Sequence, residues 1–223
     1  MNRGWEFAIR TGVYIGGTAP LPLPAEIREI EKYSPVFALS IEGSVTKELN
    51  PRWGIESGLR LETKGMKTGA RVKNYHMEMV ADDGGRMEGM WTGHVKTNVS
   101  TYGLTLPVLA VYQIGERWQV KGGLYGTFIF DSDFSGSAHD GYLRSGDPTG
   151  EKVNVTEATY DFSNDLSKFG YGLQLGAEWK AFRHLALHAY LAWGLRDVFK
   201  KDFETITFSM YPIYLNLGFG YRF

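Results

Sequence analysis

The chain closes on Asn216-Leu-Gly-Phe-Gly-Tyr-Arg-Phe223. Ile213, Leu215, Leu217 and Phe219 share their parity with Tyr221 and Phe223, whereas Tyr214, Asn216, Gly218, Gly220 and Arg222 take the other. A period of two marks a strand, here with one apolar face and one small or polar face. The strand ends on an aromatic ring with no polar tail, and a terminal ring gains little in a domain surrounded by water.

The same stretch resembles the C-terminal insertion signal of bacterial outer-membrane β-barrels. Asn216, Gly218, Tyr221 and Phe223 occupy the polar, glycine and two aromatic positions of that signal. The resemblance implies that the barrel assembly machinery handles the chain during insertion. It also implies that the rest of the sequence should read as strands closing a barrel.

Composition agrees with a sheet protein. The 223 residues hold 28 glycines, 14% aromatics and no cysteine, which suits an oxidising compartment without disulfide staples. The net charge of −1 gives a nucleic-acid partner nothing to be drawn to. No run of about 18 apolar residues exists to make a membrane helix. Mean hydropathy is −0.25, a value open to a barrel because only alternate residues face lipid. Met1-Asn-Arg-Gly carries no signal peptide, so the expectation is a mature form from which it was removed.

Working along the chain, Trp5, Phe7, Ile9, Val13 and Ile15 alternate with Glu6, Ala8, Arg10, Gly12 and Tyr14 in a first strand. Pro20, Pro22 and Pro24 exclude a central strand over 18–34, and 25–33 is expected as a short helix. Phe37 to Val45 and Trp53 to Leu61 form the next two strands, joined by a tight turn at 48–52. In 65–98, Asp82-Asp-Gly-Gly85 reads as a hairpin tip between extended arms at 71–80 and 86–99. Strands follow from Tyr102 to Tyr112, where both faces are apolar around Pro107, and from Trp118 to Phe130. The segment 131–168 reads as a long polar loop. Phe169 to Trp179, Leu185 to Leu195 and the terminal strand complete about eight, with a bulge expected at 210–212.

Long connections (18–34, 65–98, 131–168, 197–204) alternate with short ones (48–52, 113–117, 181–184), as extracellular loops alternate with periplasmic turns. Trp5, Trp53, Tyr112, Trp118 and Trp179 all fall at the short-turn end, where amphipathic rings make an interfacial girdle. Glu6, Arg10, Glu42, Glu56, Arg60, Glu62, Lys121, Glu178, His188 and Arg222 share the inward parity. Both signs occur, so they can neutralise one another and plug a cylinder of eight strands. A soluble barrel would place the apolar face inside instead.

Three segments resemble the PorT-like outer-membrane β-barrels of the Bacteroidota. They are Tyr102-Gly-Leu-Thr-Leu-Pro-Val108, Val120-Lys-Gly-Gly-Leu-Tyr-Gly126, and Leu173 to Trp179 leading to Gly194-Leu-Arg196 and the Tyr-Arg-Phe ending. The resemblance spans about residues 5 to 223 and implies an eight-stranded barrel in the outer membrane. Its namesake takes part in gliding-associated secretion, which leaves the function of other members open.

Four chemistries are worth weighing. Met66, Met77, Met79, Met87 and Met90 gather with His76, His94 and Trp91. His76-Met-Glu-Met79 offers soft ligands for Cu(I). Alternatively Met77, Met79, Met87, Met90 and Trp91 form an adaptable apolar surface for a protein partner, or pack the two arms together. Asp131-Ser-Asp-Phe-Ser-Gly-Ser137 resembles half a calcium loop, but its twelfth position is Tyr142 rather than a bidentate Glu. An enzyme acting on lipid A or peptides would need a histidine with a Ser or Asp partner, and His94, His139, Asp140, Ser100 and Ser132 are the available groups. A small-solute channel would need an aqueous lumen. The expectation is a monomeric, all-β, eight-stranded antiparallel up-and-down transmembrane barrel. It is a single domain over 1–223, without cofactor or catalysis. Outer-membrane lipids surround it, and its outer loops meet a protein or a cell surface.

Overall fold

The computed structural model describes residues 4–81 and 84–223. Ten strands form one antiparallel sheet: β1 (Trp5–Pro20), β2 (Ile27–Pro35), β3 (Leu39–Glu48), β4 (Trp53–Ala81), β5 (Arg86–Ile114), β6 (Trp118–Ser145), β7 (Lys152–Asp161), β8 (Phe169–Lys180), β9 (Leu185–Gly194) and β10 (Met210–Arg222). Eight of them close a ring in the order β1-β3-β4-β5-β6-β8-β9-β10, sealed where β10 pairs β1 from Ala8↔Arg222 to Pro20↔Met210. Closure lets neighbouring strands pair their backbone groups around the ring, which a lipid environment demands. The terminal eight residues are therefore one side of the closing seam.

Burial is inverted relative to a soluble protein. Ile9, Ile41, Leu61, Val108, Leu124, Leu175, Leu191 and Phe219 stand exposed on the outside of the ring. Arg10, Glu42, Glu56, Arg60, Glu62, Lys121 and Glu178 are buried inside it. Lipid is the solvent that makes such a wall favourable.

The two ends differ. Short turns join β3 to β4, β5 to β6 and β8 to β9 at one end. At the other, β4, β5 and β6 continue as strands of 29, 29 and 28 residues, far beyond the roughly 10 needed to cross a bilayer. The arms expected at 71–80 and 86–99 are these continuations, and Asp82 and Asp83 of the expected tip lie outside the described residues.

Three expectations are corrected here. Residues 27–35 form β2 rather than a helix, because Ile27 to Pro35 add as an edge strand along Val72 to Met66 of β4. Most of 131–168 is sheet: β6 pairs β5 up to Ser145, and β7 then pairs β6 from Ser135↔Asp161 to Arg144↔Lys152. No bulge interrupts β10 at Met210 to Pro212, where the ladder with β1 runs without a shift.

The outer strands keep an apolar interior of their own. Bulges follow Val72 in β4 and lie between His139 and Tyr142 in β6, and at each a non-glycine residue takes positive φ, Asn74 at 53° and Asp140 at 52°. One extra residue reverses which parity points inward. Inward positions in β4 are thus Glu62, Met66 and Val72 before the bulge, and Met77 and Met79 after it. Met66, Val72, Met77 and Met79 join Trp91, Phe134, Leu143, Ala158, Phe162 and Phe199 in a core outside the membrane ring. β7 also reaches back to β4 at Val80↔Thr159, so the outer strands wrap this core.

Candidate functional site

Inside the ring the charges are matched. Arg10 donates to Glu178 at 2.9 Å, to Glu42 at 3.1 Å and to Glu56 at 2.9 Å. Lys121 donates to Glu56 at 2.7 Å and to Glu178 at 2.9 Å. Arg60 lies 3.2 Å from Glu62 and 3.5 Å from Glu42, and donates to Gln174 at 2.6 Å. Lys64 and the Tyr14 hydroxyl both donate to Glu62. Four cations (Arg10, Arg60, Lys64, Lys121) thus face four carboxylates (Glu42, Glu56, Glu62, Glu178), so the connected group is neutral. Neutrality matters because each isolated ion would cost several kcal/mol to bury. The side chains fill the middle of the cylinder, as an eight-stranded ring permits.

The remaining inward residues sit toward the short-turn end and along the seam. Arg222 forks onto both carboxylate oxygens of Glu6. His188 stacks on Tyr190 at 4.6 Å and shares a hydrogen bond of 2.7 Å with Asn216, whose amide donates to Ser40 at 2.9 Å. Gly218 is held bare by close approach: a Cβ there would lie 2.0 Å from the Thr11 carbonyl oxygen and 2.8 Å from the His188 ring. Asn216 and Gly218 of the terminal signal thus face the interior, while Tyr221 and Phe223 lie outside with their rings 5.1 Å apart.

The aromatic positions form pairs at the short-turn end. Trp53 and Tyr112 are 4.8 Å apart, Trp118 and Trp179 are 6.2 Å apart, and Lys47 sits over Trp5. Sequence reading missed a second belt made by Tyr102, Phe128, Phe130, Phe169, Tyr171 and Trp193, all exposed. The signal was there: Tyr102 and Tyr112, Phe128 and Trp118, Phe169 and Trp179 are each ten residues apart on neighbouring strands. Ten residues of tilted strand span about 25 Å, the height of an outer-membrane apolar band.

The methionine cluster is corrected in role. Met77 and Met79 are 1% exposed and Trp91 is 0% exposed, Met87 packs against the same core, and Met90 is half-buried. These residues hold the arms together and offer a partner little surface. The indole of Trp91 occupies space left by Gly93 and Gly141, where a Cβ at either would stand 2.7 Å from its ring. Strand alternation also separates the proposed soft ligands: Met77 and Met79 point inward, while His76 turns to the Thr205 carbonyl at 2.9 Å. Asp131 to Ser137 lie within β6 and do not wrap; Asp133 accepts from Asn98 at 2.5 Å and from Ser163 at 3.2 Å. Among the described residues no group of three acidic or histidine side chains could hold a metal ion.

His94 and His139 meet across β5 and β6 with ring centroids 5.6 Å apart, and Glu31 lies 3.0 Å from His94. Ser100 is six residues along β5 from His94, roughly 20 Å of strand, and Ser132 is seven from His139. Neither serine is hydrogen-bonded to a histidine among the described residues, so no nucleophile and base are brought together there.

A closed antiparallel ring with an apolar exterior, two aromatic belts and a charge-neutral interior defines an integral outer-membrane β-barrel of a Gram-negative bacterium. The profile of the family described as outer membrane protein beta-barrel domain matches residues 1–200, and the chain belongs to that family. Among solved structures, the attachment invasion locus protein Ail of Yersinia pestis is similar at 12% identity and a TM-score of 0.45, with 98% of this chain and 99% of that one covered. OprG of Pseudomonas aeruginosa is similar at 13% identity and 0.38, over 99% and 97%. The outer membrane protease OmpT of Escherichia coli is similar at 12% and 0.36, over 98% and 96%. No curated protein matches the chain.

Proposed function

We propose that this protein is a non-enzymatic, monomeric display scaffold. A plugged barrel anchors a rigid β-structured head outside the cell, and the head contacts a protein or a neighbouring surface. The observation that carries the reading is the continuation of β4, β5 and β6 through the membrane ring into a head with its own apolar core. From Met66 outward, β4 alone adds roughly 45 Å of strand. Ordering so much backbone beyond the bilayer has an entropic cost that a bare anchor need not bear. The neutral plug argues in the same direction, because it leaves the barrel as support rather than conduit. The three segments that resemble PorT-like barrels favour a role accessory to secretion or surface assembly.

Photo-cross-linking in intact cells tests this. A cross-linking amino acid at Arg86 or Lys152, both exposed on the head, should give discrete protein adducts. The same group at lipid-facing Leu191 should give none. Absence of adducts from every head position, together with hydrolysis of lipid A or peptide by the purified protein, would replace display with enzymology.

A further inference from the structure

The ring has one imperfect wall. β1 pairs β10 up to Pro20, but on its other side the last backbone bond runs from the Tyr14 N–H to the Ala38 carbonyl at 3.0 Å. Beyond that level β3 has ended, and the neighbour is β2, which pairs only with β4 among the described residues. The groups of β1 that would have continued the ladder meet weak substitutes. The Gly16 N–H donates to the Tyr33 hydroxyl at 3.1 Å, and that hydroxyl donates to the Gly16 carbonyl at 2.6 Å. The Thr18 N–H points at the Met66 sulfur at 3.3 Å, and Pro20 has no N–H to offer. A phenol, a thioether and a proline thus stand where three ladder positions belong, and this satisfies the edge without closing it.

Behind this seam lies a cavity of about 420 Å3, within the size range of small-ligand sites. Its depth is formed by buried Val72, Met77, Val95, Phe134, Phe162 and Met210. Its rim carries Leu23 and Ile30, which are 56% and 58% exposed. The hydroxyls of Thr97 and Tyr160 on its wall bond each other at 2.6 Å, and Tyr160 also donates to the Lys96 carbonyl at 2.9 Å. With these two hydroxyls engaged and most of the remaining lining apolar, the space suits a hydrocarbon better than water. The lower end of the seam is at membrane level. Gly17 registers with Ile213, which registers with Trp193 of the outer aromatic belt.

We propose that the cavity binds one linear alkyl chain, which enters sideways through the seam between β1 and β2 from the outer leaflet. The chain length is limited by the volume, and the polar end remains at the rim beside Tyr33. Either a free fatty acid or one acyl chain of a membrane lipid supplies this chemistry. The proposal does not depend on the display reading, since a head can be both a ligand holder and a contact surface.

The test uses the full chain in nanodiscs of dimyristoyl phosphatidylcholine, titrated with dansyl-labelled undecanoic acid. Saturable binding at one probe per chain, displaced by dodecanoic acid and not by the rigid steroid cholate, is expected. Ala70→Phe, which fills the cavity beside Ile30, should weaken the probe at least tenfold while the protein keeps its heat-dependent gel mobility. If that variant misfolds, the wild-type titration decides alone: linear partitioning with no saturation overturns the site. Equal saturable binding by wild type and a folded Ala70→Phe also overturns it. Given saturable binding, weaker probe affinity in nanodiscs than in an amphipol assigns the chain to membrane lipid, and equal affinity assigns it to free fatty acid.

Discussion

Glu56 shows how much one residue holds inside the barrel. It accepts from Arg10 at 2.9 Å, Thr46 at 2.8 Å and Lys121 at 2.7 Å, all away from solvent. Removing it leaves two cations sharing Glu178, together with the Glu42 contact of Arg10. Glu56→Ala should therefore destabilise the folded barrel by about 3–5 kcal/mol, the usual cost of stranding a buried charge. Urea titration in lipid vesicles, read by the fraction that keeps folded mobility on unheated gels, measures it. An unchanged midpoint would mean that the network relaxes around the gap. Tyr160 makes a prediction about pH in the head, outside the membrane. Burial pushes its phenol well above its ordinary value near 10, against a smaller opposing effect of its bond with Thr97. A group whose proton is held more tightly in the folded state contributes stability that is complete below about pH 10 and is lost as pH rises further. The urea midpoint of the head should fall as pH rises above about 10, and Tyr160→Phe should flatten that dependence.

At the scale of elements, the two bulges decide what the head is made of. A strand that reads simply along β4 would put His76 and Glu78 inside, because Glu62, Met66 and Val72 set even positions inward. The extra residue at the Asn74 bulge reverses the parity and delivers Met77 and Met79 to the core instead. Asn tolerates φ of 53°, whereas a β-branched residue pays roughly 1–2 kcal/mol there. Asn74→Val should loosen the head by about that much and Asn74→Gly should leave it near wild type, with hydrogen exchange of β4 and β5 beyond Met66 as the readout. Equal exchange in both variants would show that the bulge imposes no strain. This is also where sequence reading fell short. The β2 segment and the Ser- and Gly-rich run through β6 look unlike strands by themselves. They become strands because a neighbouring edge, Val72 to Met66 for one and Gly89 to Tyr102 for the other, supplies the hydrogen bonds.

For the whole molecule, the position of each solvent settles behaviour. Apolar side chains cover the ring between two aromatic belts, so the protein should migrate faster unheated than boiled and fractionate with the outer membrane. The filled interior further predicts that purified protein in planar bilayers gives no stable open-channel steps. Steady large conductance would require the Arg10–Glu56–Lys121 group to part.

The eight-stranded ring, the inside and outside of its strands at membrane level, the short-turn belt and most of the polar interior, Lys64 excepted, follow from sequence alone. They do so because a period of two is local, and because charged and apolar faces separate wherever lipid meets one of them. Only tertiary structure decided the rest: the bulged parity that buries Met77, Met79 and Trp91, the recruitment of β2 and β7, the outer belt as a belt, and the unsealed wall between β1 and β2. Each depends on which distant strand lies alongside and in what register, and register is a property of pairs that no single stretch of chain contains.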